Sequence, residues 1–219
     1  VTLRTIATGL KSLRSTEEFI LANAEANTVI AIDAPLVIKN LNGQRPCETE
    51  ISRRFSAADA SAHTSNLRRF PNASSIRLTN NLASQGFRQC PDPHMQCLPG
   101  KWFFEVYPHP AHVVLFKRKK IIKYKKGPVA SRRHGLMEFR RSLEHFLSHA
   151  EPPLKSSDEL QAFLQKPLES LCGNALKEYE DTLDAVFCAY LAAYFWVWSY
   201  DRNEMIGNPE TGYIINPRA

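Results

Sequence analysis

Four carboxylates stand in apolar surroundings: Asp33 in TVIAIDAPL, Glu105 in WFFEVYPHPA, and Asp181 with Asp184 in EYEDTLDAVFCAYLAAY. Strand ends and one face of a long helix are places where a fold can converge acidic groups on a divalent cation, and carboxylate oxygens suit hard ions such as Mg²⁺ or Mn²⁺. A charge buried unpaired is costly, so Glu105 needs a metal, a cation, a proton or an exposed face. Its plain alternative is a solvent-facing glutamate on a half-buried strand. For Asp33 the plain alternative is a turn or capping aspartate ahead of Pro35. Asp181 and Asp184 are three apart and share one helix face. Placement in a first turn, beside the positive end of the helix dipole, explains Asp181 without a ligand. Asp184, further in and followed by Ala185, is the better candidate.

The second chemical feature is KRKKIIKYKK, residues 117–126, with seven basic groups in ten positions. Lys and Arg that neutralise successive phosphates release counterions and supply sequence-independent affinity for nucleic acid. Lys123 and Lys125 are candidate backbone contacts, Tyr124 a candidate stacking face, and Arg132 continues the positive character into the next helix. The plain reading of the run is a solvated, highly charged loop.

These residues need elements to position them. Residues 2–10 read as a short strand and a helix begins near Ser15, where Ser15 and Glu18 have capping-box spacing. TVIAID, residues 28–33, is a continuous β-branched run, hence a buried strand with Asp33 at its carboxyl end, where ligands of open α/β sheets bind. Residues 56–101, rich in Ser, Asn, Pro and Gly, form a long excursion with one helix over 75–84. WFFEVY, residues 102–107, returns as a strand, followed by a short helix AHVVLF. Helices are expected over 129–148, 158–165 and 167–179, and a broadly apolar one over 180–200. GNPETGYIINP reads as a terminal turn and strand.

The chain has 219 residues, 43% hydrophobic content and a net charge of +6, which suits one domain with a substantial core and, weakly, a polyanionic partner. Five cysteines, an odd number, and the lack of an evident membrane-spanning stretch suggest a reduced, soluble, cytoplasmic protein. Cys172 and Cys188 read as core thiols. Cys90, His94 and Cys97 resemble a partial zinc cluster that would need distant Cys47 as fourth ligand. His109 and His112 flank a helix start beside Glu105, in core or capping roles. The opening VTLRTIATGL carries neither an initiating Met nor a signal-like core and reads as a truncated start.

AIDAPL, NGQRPCETEISRRF, EVYPHPA, IKYKKG, DTLDAVFCAYLAAY and GNPETGYIINP, in that order, resemble the ordered motifs of an uncharacterised family of predicted nucleases with an RNase H-like fold. The resemblance spans nearly the whole chain. It implies an α/β fold in which a mixed sheet is flanked by helices, with a helical elaboration and a carboxylate metal centre. It would place Asp33 on a central strand, beside a strand carrying the first acidic ligand, and Asp181 and Asp184 on the carboxy-terminal helix. Glu105 matches the EVYP strand. Arg45 and Glu48 match the RPCE segment and would contact substrate or support the site, although a pair this close can simply bond at a helix start. His63 and Asn66 lie in a loop the family shares. The pattern departs at the amino terminus, where the strand bearing the first aspartate is missing.

The expected activity is two-metal phosphodiester hydrolysis, with Asp33, Glu105 and Asp184 as ligands and Asp181 as ligand or water-orienting base. The rival is a noncatalytic nucleic-acid-binding module with an incomplete metal site. A phosphotransferase would need a phosphate-cradling glycine-rich loop, and none is present.

Overall fold

A computed structural model of the chain describes residues 1–89 and 99–218. The β-branched run forms β1 (Thr28–Ile32), and KWFFE forms β3 (Lys101–Glu105) parallel to it. A short strand, β2 (Phe87–Gln89), pairs in parallel with the other side of β3, so the order is β1-β3-β2. Strand periodicity sorts the β1 side chains between two cores. Val29 and Ala31 join the main cluster, which includes Phe104, Leu183 and Phe187, while Ile30 and Ile32 join Leu36, Leu78, Leu82, Phe87 and Phe103.

The helices are α1 (Leu13–Asn23), α2 (Pro46–Phe55), α3 (Ser74–Ser84), α4 (Pro108–Leu115), α5 (Val129–His149), α6 (Asp158–Leu164) and α7 (Gly173–Arg202). α7 is apolar on most of its circumference because it packs on β1 and is enclosed by neighbouring elements. Phe195 on it meets Phe104 of β3, ring centroids 4.8 Å apart. Burying an aromatic side chain of this kind contributes roughly 1.5–3 kcal/mol. By length and composition α7 could cross a bilayer, contrary to the expectation that no stretch could, but 67% of its apolar window is buried inside the fold. It is the core helix. The chain ends in an antiparallel hairpin of β4 (Asn203–Asn208) and β5 (Gly212–Pro217), whose turn is fixed by Asn208 accepting the amides of Glu210 and Thr211.

Several expectations are corrected. Residues 2–10 form no strand; a single bridge joins Thr2 to Lys155. α1 starts earlier than Ser15, because Ser12 is the cap and its box partner is Ser15, not Glu18. The 56–101 excursion returns to the sheet, supplying β2 as well as α3. The helices expected over 167–179 and 180–200 are largely one: helix resumes at Gly173 and continues through Tyr179. The strands form a parallel sheet and a separate hairpin, touching through one bridge between Val106 and Ile215, in place of a single mixed sheet. Among the described strands β1 is at the edge and β3 at the centre.

Candidate functional site

Asp33 follows β1 directly and Asp184 faces it from the fourth turn of α7. One ammonium joins them: Lys125 Nζ is 2.9 Å from Asp184 Oδ2 and 4.0 Å from Asp33 Oδ2. The Tyr124 hydroxyl donates to Asp184 Oδ1 at 2.6 Å, so both oxygens of that carboxylate are engaged. Asp33, Lys125, Asp181, Asp184 and Cys188 share a cavity of about 490 Å³, which extends between α1 and α7 along β1.

The basic run is positioned by its apolar residues. Ile122 and Tyr124 are buried, which turns Lys125 into the cavity. Gly135 of α5 lets that helix close on the segment, since a Cβ there would lie 2.2 Å from the Lys123 carbonyl oxygen. Tyr124 is therefore no exposed stacking face. Lys120 and Lys123 pair with Asp59, at 3.5 and 3.1 Å. Arg132 pairs with buried Glu180 at 3.0 Å. Of the expected phosphate contacts on this run, Lys125 is the one brought to the carboxylates.

Glu105, beside Ile32 in the sheet, lines a second cavity with Asp33, Arg45 and Glu48, and its carboxylate is held in an ion-pair network. The Arg45 guanidinium grips both its oxygens, at 2.9 and 2.6 Å, and the Leu36 amide donates to Oε2. Arg45 Nε in turn bonds Glu48 Oε1 at 2.8 Å, and Glu48 Oε2 accepts the amides of Arg45 and Ser65. All three side chains are buried. Desolvation pushes the Glu105 carboxyl up, against the pull of Arg45 and the Leu36 amide. The RPCE segment thus binds the EVYP strand and braces the loop that follows Ser65. Asp181 is 59% exposed and paired with Lys177 at 2.6 Å. It is not in the first turn of its helix, so the dipole accounts for it less well than its neighbouring lysine.

Asp33 is also on the wall of that second cavity, about 480 Å³, whose lining does not include Asp184. Tyr107, just before α4, lines it, as do His63, Arg69 and Phe70 on a loop pinned by Asn66, which donates to the Gly43 carbonyl and accepts from the Arg69 amide. Sequence reading left His63 and Asn66 without roles and missed Arg69 and Phe70. The signal was an exposed aromatic beside a basic pair in LRRF.

The histidines take core roles. His112 is fully buried between Phe139 and Phe187, at centroid distances of 4.3 and 4.4 Å, and burial lowers its pKa far below the usual value. Burial, with Lys125 nearby, brings His109 down to about 3. Cys188 is buried beside the carboxylates, whereas Cys172, expected in the core, is exposed at the start of α7. Cys47 is buried and its thiol is pushed up to about 12 by burial. The other zinc candidates, Cys90, His94 and Cys97, lie outside the described residues. Among the described residues no three His, Cys, Asp or Glu side chains gather as a ready-made metal cage.

Asp33 is exposed to water, its side chain 35% accessible, and lies on the walls of both cavities. Desolvation raises its pKa from 3.8 to about 6, with Lys125 opposing and Asp184 adding to the rise. Desolvation also raises Asp184. The folded state holds the Asp33 proton better than the unfolded chain does, so stability falls as pH climbs from about 4 to about 6. Asp33→Asn has no such proton to lose. Its melting temperature minus that of the parent, measured in EDTA, is expected to grow across this window and then level off. A difference that stays flat from pH 4 to 7 would refute the strained carboxylate.

The family model described as Protein of unknown function (DUF429) matches residues 3–211. No curated protein and no solved structure matches the chain.

Proposed function

The chain belongs to the DUF429 family of proteins of unknown function, and for this member we propose metal-dependent hydrolysis of phosphodiester bonds in nucleic acid, on an RNase H-like arrangement of sheet and terminal helix. The observation that carries the reading is the convergence of Asp33 and Asp184 on one cation, the Lys125 ammonium. The donors are hard oxygens from two carboxylates. That set fits Mg²⁺ or Mn²⁺, because Mg²⁺ is usually held by one or two carboxylates and completed by waters and substrate phosphates. When bound, such an ion stabilises charge on phosphoryl oxygens and lowers the pKa of water.

Asp33 and Asp184 hold the cation in this reading. The Tyr124 hydroxyl fixes the Asp184 carboxylate in one orientation. Lys125 leaves Asp184 Oδ2 for a substrate phosphate oxygen, exchanging one anionic partner for another. Asp181, which lines the same cavity, accepts the proton of the attacking water as its oxygen bonds to phosphorus, the ester P–O bond breaks, and the leaving oxygen takes a proton from solvent. Glu105 takes no part, since Arg45 and the Leu36 amide occupy its oxygens.

The test is cleavage of labelled RNA, DNA, hybrid and branched substrates with Mg²⁺, with Mn²⁺ and in EDTA. Turnover that depends on the ion is expected. The same lysine favours the competing reading, a noncatalytic binding module, because its ammonium already occupies the place between the two carboxylates that a metal ion would take. Salt-sensitive binding without turnover under any of these conditions would establish that alternative.

A further inference from the structure

We infer that the cavity lined by Asp33, Arg69 and Phe70 is a binding site for single-stranded nucleic acid, with Phe70 as a base-stacking platform and Arg69 as a phosphate contact. The inference rests on the proposed phosphodiester chemistry for what happens at Asp33, and it names the substrate class.

Phe70 is 44% exposed although it is a large apolar residue, and it lies at a cavity rather than on a convex face. A lone exposed phenylalanine needs no explanation. This one has the Arg69 guanidinium over its ring, 5.8 Å from the centroid. Among the described residues the Arg69 guanidinium pairs with no carboxylate and has one hydrogen bond, to the Thr64 carbonyl at 3.4 Å. Aromatic faces interleaved with unpaired arginines are the surface that sequence-tolerant single-strand binders present, because every base has a π face and every link a phosphate.

The loop is preorganised for this. The Ser65 amide is held by Glu48, the Leu67 amide donates to the Asn40 carbonyl, and the amides of Arg69 and Phe70 are both held by Asn66. Binding therefore requires little further ordering of the loop. His63 and Tyr107 complete the wall, and burial, with Asp33 contributing, pushes the Tyr107 hydroxyl up to about 12, so it stays protonated. Asp33 lines the same cavity as Phe70. A duplex conceals the faces that Phe70 would stack on. The lysine run is a poorer candidate: its tyrosine is buried and Lys120, Lys123 and Lys125 all have carboxylate partners.

The experiment is fluorescence anisotropy in EDTA with labelled single strands of about ten nucleotides, RNA and DNA, and with the corresponding duplexes. Single strands are expected to bind more tightly than duplexes. Phe70→Ala should weaken single-strand binding roughly 5- to 150-fold with the salt slope unchanged. Arg69→Ala should lower the slope of log affinity against log salt by about 0.7. Melting temperatures like the parent's would show that both variants fold, as expected for exposed side chains. Equal binding of duplex and single strand, with both variants at parental affinity, would overturn the inference even if cleavage is observed. Binding as described with no turnover in any metal would remove the proposed hydrolysis and leave the single-strand site standing.

Discussion

Arg45→Met is expected to destabilise the protein by about 3–5 kcal/mol, because it leaves the buried Glu105 and Glu48 carboxylates without their cation. Natural domains commonly have only about 5–15 kcal/mol of stability in total, so the variant should show a large drop in its urea midpoint. The side chain lost is among the largest fully buried in the protein, and its fork joins the start of α2 to the end of β3 and to the Val37 carbonyl. Methionine fills much of the volume but offers no donors. Arg45→Lys keeps the charge without the fork and should fall in between. Adding Glu105→Gln to Arg45→Met should recover part of the loss, since the penalty is that of an uncompensated charge. A single variant within about 1 kcal/mol of the parent, with nucleic-acid binding lost, would return Arg45 to the role of substrate contact expected from the sequence.

Asp184→Asn is expected to reduce metal-dependent cleavage at least about 100-fold, given that a metal ion supplies several kcal/mol of transition-state stabilisation. The fold should survive. The amide keeps the size of the carboxylate and an oxygen for the Tyr124 hydroxyl, and it removes a charge whose desolvation already raises its pKa. Thermal melts should therefore place the variant within a few degrees of the parent. Unchanged cleavage would remove Asp184 from the site. Loss of both folding and cleavage would instead make the Tyr124–Asp184–Lys125 cluster structural.

Local signals in the sequence determined a good deal. The strands expected over 28–33 and 102–107, the helix expected over 129–148 and the position of Asp33 at a strand's carboxyl end all follow from composition and periodicity, and the structure has β1, β3 and α5 there within two residues at each end. The apolar residues of 180–200 likewise required a buried helix. The start of that helix was not legible: a helix was expected over 167–179 and another from 180, whereas the chain turns after Pro167 and α7 runs unbroken past 180 from Gly173. The strand Phe87–Gln89 was hidden for a related reason: at three residues it carries too little periodicity to be recognised, and only its pairing with β3 makes it a strand.

Which charges meet was decided by tertiary structure alone. WFFEVY shows that Glu105 needs a partner, and no local rule reveals that the partner is Arg45, sixty positions away. The run KRKKIIKYKK advertises seven cations but not that Ile122 and Tyr124 anchor it, that Asp59 takes two lysines and that Lys125 alone turns toward Asp33 and Asp184. Sequence states which groups carry charge and which surfaces must be buried. Pairing depends on the separation and orientation of side chains brought together from remote segments, and Coulomb and hydrogen-bond energies are decided at those distances.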